Sequence, residues 1–222
     1  MPDGKRIAFI ANKGAHTGIY TIGIDGSKLR KVRVFADPGG RRGNSDFEFS
    51  SFAPAPDGRR YAFSRGIGLS RSLWVMNANG SGLRRISTRC WLTITDWSPD
   101  SKRLLIVAGD QTPADPECLN ESGLETVSAT TGKATRLVTE KRVDTGPQDG
   151  YGTSAPYGGF SPDGKRIVFV VDRSRCGGAN TIMVMNADGT GVRTVRQGPG
   201  EIVNRQCHHT DYGAPVWRSV RR

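Results

Sequence analysis

At 222 residues, with 36% hydrophobic and 8% aromatic content and 29 glycines, the chain is long enough to bury one sizeable core, and no compositional break divides it. That balance argues against long helices and suits many short strands joined by turns. Net charge is +11, which raises nucleic acid as a partner, while no apolar run approaches the roughly 20 residues needed to span a bilayer. The opening Met1-Pro2-Asp3-Gly4-Lys5 leads directly into a turn, so neither a signal peptide nor a membrane anchor is expected in the chain.

Taken in chain order, one unit recurs. It begins as Met1-Pro2-Asp3-Gly4-Lys5-Arg6-Ile7-Ala8-Phe9 and continues through Ile19-Tyr20-Thr21-Ile22 to Asp25-Gly26-Ser27. The second copy starts at Ala55-Pro56-Asp57-Gly58-Arg59-Arg60-Tyr61-Ala62-Phe63, with Leu73-Trp74-Val75-Met76-Asn77 and Asn79-Gly80-Ser81 as its second half. The third is Trp97-Ser98-Pro99-Asp100-Ser101-Lys102-Arg103-Leu104-Leu105-Ile106, then Leu124-Glu125-Thr126-Val127 and Thr131-Gly132-Lys133. The fourth is Phe160-Ser161-Pro162-Asp163-Gly164-Lys165-Arg166-Ile167-Val168-Phe169, then Ile182-Met183-Val184-Met185-Asn186 and Asp188-Gly189-Thr190. The repeats occupy about 1–35, 52–88, 95–138 and 158–196 of a single 1–222 domain, followed by a strand-like 214–219.

Each half-unit reads as a hairpin. Proline fixes φ at the first central position of a turn, and Asp-Gly or Asn-Gly supplies the positive φ that a tight reversal needs. Segments such as 167–171 and 182–185 are apolar at successive positions, so both faces of their sheets must be covered. Blades packed face to face around an axis provide that cover, and a solenoid does not fit because no helical period is present. The expected fold is therefore all-β, a β-propeller of four-stranded antiparallel blades.

The Trp-Ser-Pro-Asp-Gly-Lys-Arg-Ile-Ala-Phe pattern, followed by Ile-Tyr-Val-Met-Asn-x-Asp-Gly, resembles the TolB-type propeller repeat across nearly the whole chain. Departures stand at Pro54, where the aromatic is absent, and at Ser101, where the glycine is absent. The resemblance implies a propeller, commonly six-bladed, of exported bacterial proteins that contact other proteins of the cell envelope. Related propellers also accompany the peptidase domain of prolyl-oligopeptidase-like enzymes and form some metal-dependent sugar lyases. Two arrangements fit the strand count. Either the terminal Ala214-Pro215-Val216-Trp217-Arg218-Ser219 completes the first blade and closes a four-bladed ring, or the repeats are part of a larger, six-bladed-type propeller.

Blade topology puts the Asp-Gly and Asn-Gly turns on one rim and the long connections, 33–51, 109–123, 138–159 and 196–214, on the other. Recognition is expected on the long-loop rim around the fourth repeat, at Asp149, Tyr151, Tyr157, His208, His209, Asp211 and Tyr212. Tyr157 and Tyr212 have an alternative role as plugs of blade cores. The Cys207-His208-His209-Thr210-Asp211-Tyr212 cluster reads as a polar loop and not as a metal site, because adjacent histidines on an extended chain point to opposite sides. The four cysteines are expected in loops, pairing locally as Cys90 with Cys118 and Cys176 with Cys207, with free thiols or other pairings as the alternatives.

The basic positions Lys5-Arg6, Arg59-Arg60, Lys102-Arg103, Lys165-Arg166 and Leu83-Arg84-Arg85 belong to the repeat itself. They read as solvated strand ends, so nucleic acid is not expected, and an acidic polymer or anionic surface is at most a weak partner. Nucleophile elbows, phosphate loops and Cys-x-x-Cys pairs are absent from the sequence, and no cofactor is expected. The expected function is a non-enzymatic, monomeric, protein-binding module of the periplasm or cell exterior. Its alternatives are a propeller hydrolase or metal-dependent polysaccharide lyase using His208 or His209 near the axis, or the propeller portion of a prolyl-oligopeptidase-like protein.

Overall fold

Local turn chemistry fixes the strand ends. In the computed structural model, which describes residues 3–13, 16–36, 47–67, 70–109, 122–139, 157–171, 181–198, 200–203, 206–209, 215 and 217, the Pro-Asp-Gly turns close with short backbone bonds. The amide of Gly58 donates to Ala55 O at 2.9 Å, that of Ser101 to Ser98 O at 2.8 Å and that of Gly164 to Ser161 O at 2.8 Å. Inside the two Ser-Pro-Asp turns the serine hydroxyl donates to the aspartate, Ser98 to Asp100 and Ser161 to Asp163, both at 2.6 Å. The same hydroxyls accept the amides of Arg103 and Arg166 at 2.9 Å. Serine, proline, aspartate and glycine thus each have a separate task in one reversal.

The strands so delimited are β1 (Arg6–Lys13), β2 (His16–Gly23), β3 (Arg30–Ala36), β4 (Phe47–Pro54), β5 (Arg60–Ile67), β6 (Ser70–Asn77), β7 (Arg84–Trp97) and β8 (Arg103–Gly109). They continue as β9 (Ser122–Ser128), β10 (Ala134–Thr139), β11 (Gly158–Phe160), β12 (Arg166–Val171), β13 (Thr181–Asn186), β14 (Arg193–Gln197), β15 (Gly200–Val203) and β16 (Gln206–His209). All pair antiparallel with their sequence neighbours, as β1-β2-β3, β4 through β10, β11-β12-β13-β14 and β15-β16. The seven-stranded sheet is two blades sharing β7. Its first part pairs with β6, its last part pairs with β8, and Cys90 pairs with both. Among the described residues the first blade has three strands, and no closed ring is formed.

The core lies in three seams between successive blades. Ile19 and Phe35 of the first blade meet Tyr61, Phe63 and Met76 of the second. Leu73 and Val75 of the second meet Leu104, Ile106 and Val127 of the third. Leu105, Leu124 and Leu137 of the third meet Ile167, Phe169, Met183 and Met185 of the fourth. Most of these side chains are buried completely, so each blade depends on its neighbour for cover.

Polar contacts lock the same seams. The Trp97 indole donates to Ala53 O at 3.0 Å, joining the first strands of two successive blades. Trp217 makes the same contact two seams further on, donating to Gly159 O at 3.1 Å. Arg60 lies over the Trp97 ring and Arg103 over Phe160, with centroid distances of 5.6 and 5.4 Å. Arg60 and Arg103 are therefore packing elements, a correction to their reading as solvated strand ends, whereas Arg6 and Arg166 are exposed. Ser101 keeps the left-handed conformation of the missing glycine, φ 59°. Its side chain compensates by accepting the Asp57 amide of the preceding blade at 3.0 Å, while its carbonyl accepts Arg60 Nη2 at 2.5 Å.

The structure corrects two further expectations. Cys90 is not in a loop but fully buried in β7, because the chain stays paired as it passes from one blade to the next. Cys207 lies on β16, since part of the expected 196–214 loop folds into the β15–β16 hairpin, with Cys207 opposite Ile202.

Candidate functional site

The two rims differ in what the chain leaves available. On the turn rim, the turn joining the last two strands of each blade after the first is seated on the blade before it. Arg33 donates to Gly80 O at 2.8 Å, and Arg84 donates to the carbonyls of Ala129 and Thr130. A Cβ built on Gly80 would lie 2.5 Å from Val32 O, and one on Gly132 would lie 2.3 Å from Ile86 O. Glycine is required there for close approach as well as for its φ of 87° and 75°. The strand ends that flank the long connections, Ala36 and Phe47, Gly109 and Ser122, and Thr139 and Gly158, stand at the opposite rim.

Of the expected recognition residues, Tyr157 is 46% exposed just before β11, and its carbonyl accepts the Val170 amide at 3.0 Å. An exposed ring does not plug the blade core. His208 and His209 are successive residues of β16, opposite Glu201 and Gly200. Asp149, Tyr151, Asp211 and Tyr212 lie outside the described residues, as do Cys118 and Cys176. Cys90 carries a disulfide bond. Among the described residues no three His, Cys, Asp or Glu side chains converge as a metal site would require, and no helix is long and apolar enough to cross a membrane.

The sequence reading missed a charged cluster towards the long-loop rim of the second seam. Glu125 of β9 is only 2% exposed, and its Oε1 lies 2.6 Å from Arg136 Nη2 of β10. Its Oε2 is 3.8 Å from Arg89 Nε of β7 across the seam. Arg71 of β6 stands directly opposite Arg89 in the register. A signal was available, because Glu125 interrupts an apolar strand that must be covered on both faces, so its carboxylate had to be buried and paired.

Aspartates elsewhere are structural. Asp96 accepts the Trp97 amide at Oδ1 and the Phe160 amide of the next blade at Oδ2, both at 2.7 Å, and burial pushes its carboxyl up. On the turn rim the Ser98 and Ser161 hydroxyls hold Asp100 and Asp163 below the usual carboxylate value. An open cleft of about 520 Å³ on the first blade is lined by Asp3, Lys5, Thr21, Asp25 and Lys28 among others. It lies on the turn rim, away from the long connections.

No protein-family model matches the chain, and no curated protein matches it. Solved structures do. TolB from Acinetobacter baumannii aligns at a TM-score of 0.59 and 18% identity over 86% of this chain and 41% of its own. A prolyl endopeptidase aligns at 0.60 and 15% identity, covering 88% of this chain and 30% of that one. An oligogalacturonate lyase in complex with manganese aligns at 0.55 and 14% identity, covering 82% and 42%. The chain thus spans less than half the length of these structures. Four repeated antiparallel units, stacked through three like seams and superposable on these proteins, give the chain a TolB-like β-propeller fold.

Proposed function

We propose that the chain is a binding module of the bacterial cell envelope or exterior that engages a protein partner through its long-loop rim. The asymmetry of the rims carries this reading: short turns on one rim are consumed in holding blade to blade, and the variable length is on the other. The likeness to TolB supports the same placement. Tyr151, Tyr157, His208, His209, Asp211, Tyr212 and Asp149 are the residues assigned to contact. Replacing Tyr151, His208 and His209 together by alanine should leave the far-ultraviolet spectrum and melting temperature nearly unchanged. Capture of the partner from envelope extract should fall at least tenfold. Normal capture by the variant would refute the assignment, as would loss of capture on substituting turn-rim residues alone.

An oxidising compartment belongs to this reading, with disulfides Cys90 to Cys118 and Cys176 to Cys207. The disulfide on Cys90 supports it, as does the register of Cys90 with Gly109, the residue from which the segment bearing Cys118 departs. Peptide mapping without reduction should recover those two pairs. A link from Cys90 to Cys176 or Cys207 would contradict them.

The neighbours also include enzymes, and the second reading is a propeller lyase or hydrolase, or the propeller portion of a peptidase. Stoichiometric manganese in the purified protein, lost on substituting His208 or His209, would favour it over the binding module.

A further inference from the structure

The seam between the second and third blades changes character along its length. Towards the turn rim Leu73 and Val75 of β6 pack against Leu104, Ile106 and Val127 in dry contact. Alternation along β6 puts Arg71 on that same face, one step nearer the long-loop rim, and the register sets it against Arg89 of β7. Two like charges placed directly opposite each other on a sheet repel. The only carboxylate facing them among the described residues is Glu125, and it is committed at 2.6 Å to Arg136. The 3.8 Å from its other oxygen to Arg89 Nε exceeds hydrogen-bond length.

Buried polar atoms are left over. Arg71 Nη1, Arg89 Nε and Glu125 Oε2 are each buried with no hydrogen-bond partner among the described residues. Arg71 and Arg89 thus face each other in a half-buried seam with no hydrogen-bonded carboxylate between them among the described residues. The Arg89 and Arg136 side chains keep 30% and 23% of their surface exposed, so the cluster is reachable from solvent. Folded proteins rarely leave guanidinium donors buried and unused. We propose that Arg71 and Arg89 form a binding site for an oxyanion, a carboxylate or phosphate group, which accepts the free donors and relieves the repulsion between them. A pair of planar guanidinium forks offers parallel donors that a carboxylate or phosphate matches bidentately. The site does not depend on the residues assigned to protein recognition.

The test is calorimetric titration with inorganic phosphate and, separately, citrate, at low ionic strength in a buffer free of other oxyanions. Wild type should bind at least one of them saturably at one site, and Arg71→Gln and Arg89→Gln should weaken that binding at least tenfold. Arg193→Gln, on the exposed strand β14, should stay within twofold of wild type. Arg71→Lys keeps the charge without the planar fork and should also lose affinity, which guards against misreading a folding defect. Without anion, Arg71→Gln should melt no lower than wild type, since it removes a like-charge contact. Binding of citrate alone assigns a carboxylate ligand, and binding of phosphate alone assigns a phosphate. Saturable binding of neither anion by wild type would overturn the site, as would Arg71→Gln and Arg89→Gln binding as tightly as wild type.

Discussion

Single residues of the repeat do more than shape turns, and their protonation makes this visible. Asp100 is held below its ordinary value of 3.8 first by the Ser98 hydroxyl and also by the Lys102 amide, and Asp163 by Ser161 and Lys165. Asp3, Asp25 and Asp188 are lowered by amides or hydroxyls within their own turns. A carboxyl that ionises more readily when folded adds stability that is complete above the unfolded value. That stability is lost as pH falls through the folded value. The chain should therefore lose stability steeply below about pH 4, the unfolded carboxyl range. The double variant Asp100→Asn, Asp163→Asn should be less stable at pH 7, with the gap to wild type narrowing in acid. Asp96 runs the other way, because burial raises it, so its contribution weakens as pH rises past the unfolded value. Urea unfolding at several pH values checks both signs, and a gap that widens in acid would contradict the turn assignment.

Within the hairpins, what could be read from the sequence was what is decided locally. Pro-Asp-Gly and Asn-Gly fix backbone angles over a few residues, so the strands they bound were legible. Cys90 was misplaced because the continuity of β7 is set by pairing with β6 on one side and β8 on the other, which no local signal announces. The role of Arg60 and Arg103 was equally hidden, since the ring each covers belongs to the next blade. Arg71 and Glu125 sat within recognisable strands, yet their meeting across a seam depends on which face of each blade turns inward. Of the proposed recognition residues, Tyr157, His208 and His209 fall among the described residues, and Tyr157 is exposed.

The repeated glycine turns offer a comparison within one chain. Gly26, Gly80 and Gly132 hold the same turn position with φ of 79°, 87° and 75°, but Gly26 has open space where its Cβ would be. Gly26→Ala should therefore lose only the conformational penalty, about 1 kcal/mol. Gly132→Ala meets the Ile86 carbonyl as well and should lose about 2 kcal/mol or more. Equal losses in chemical denaturation would show that the turns are not seated on the preceding blade.

For the molecule as a whole, four blades follow one another in chain order, each covering the last, and the described residues make an arc. Trp217 repeats at Gly159 what Trp97 does at Ala53, which puts it in the position of a first strand beyond the fourth blade. In a four-bladed ring that strand would also pair with β1, yet among the described residues β1 pairs with β2 alone. Residue-resolved amide hydrogen exchange distinguishes the two arrangements most directly. An open arc predicts slow exchange in β5, β8 and β12, which are paired on both sides, and fast exchange for the β1 amides that do not bond to β2. Protection of those β1 amides to the level of β5, removed by proline substitution at Val216, would show a closed four-bladed ring and contradict the arc.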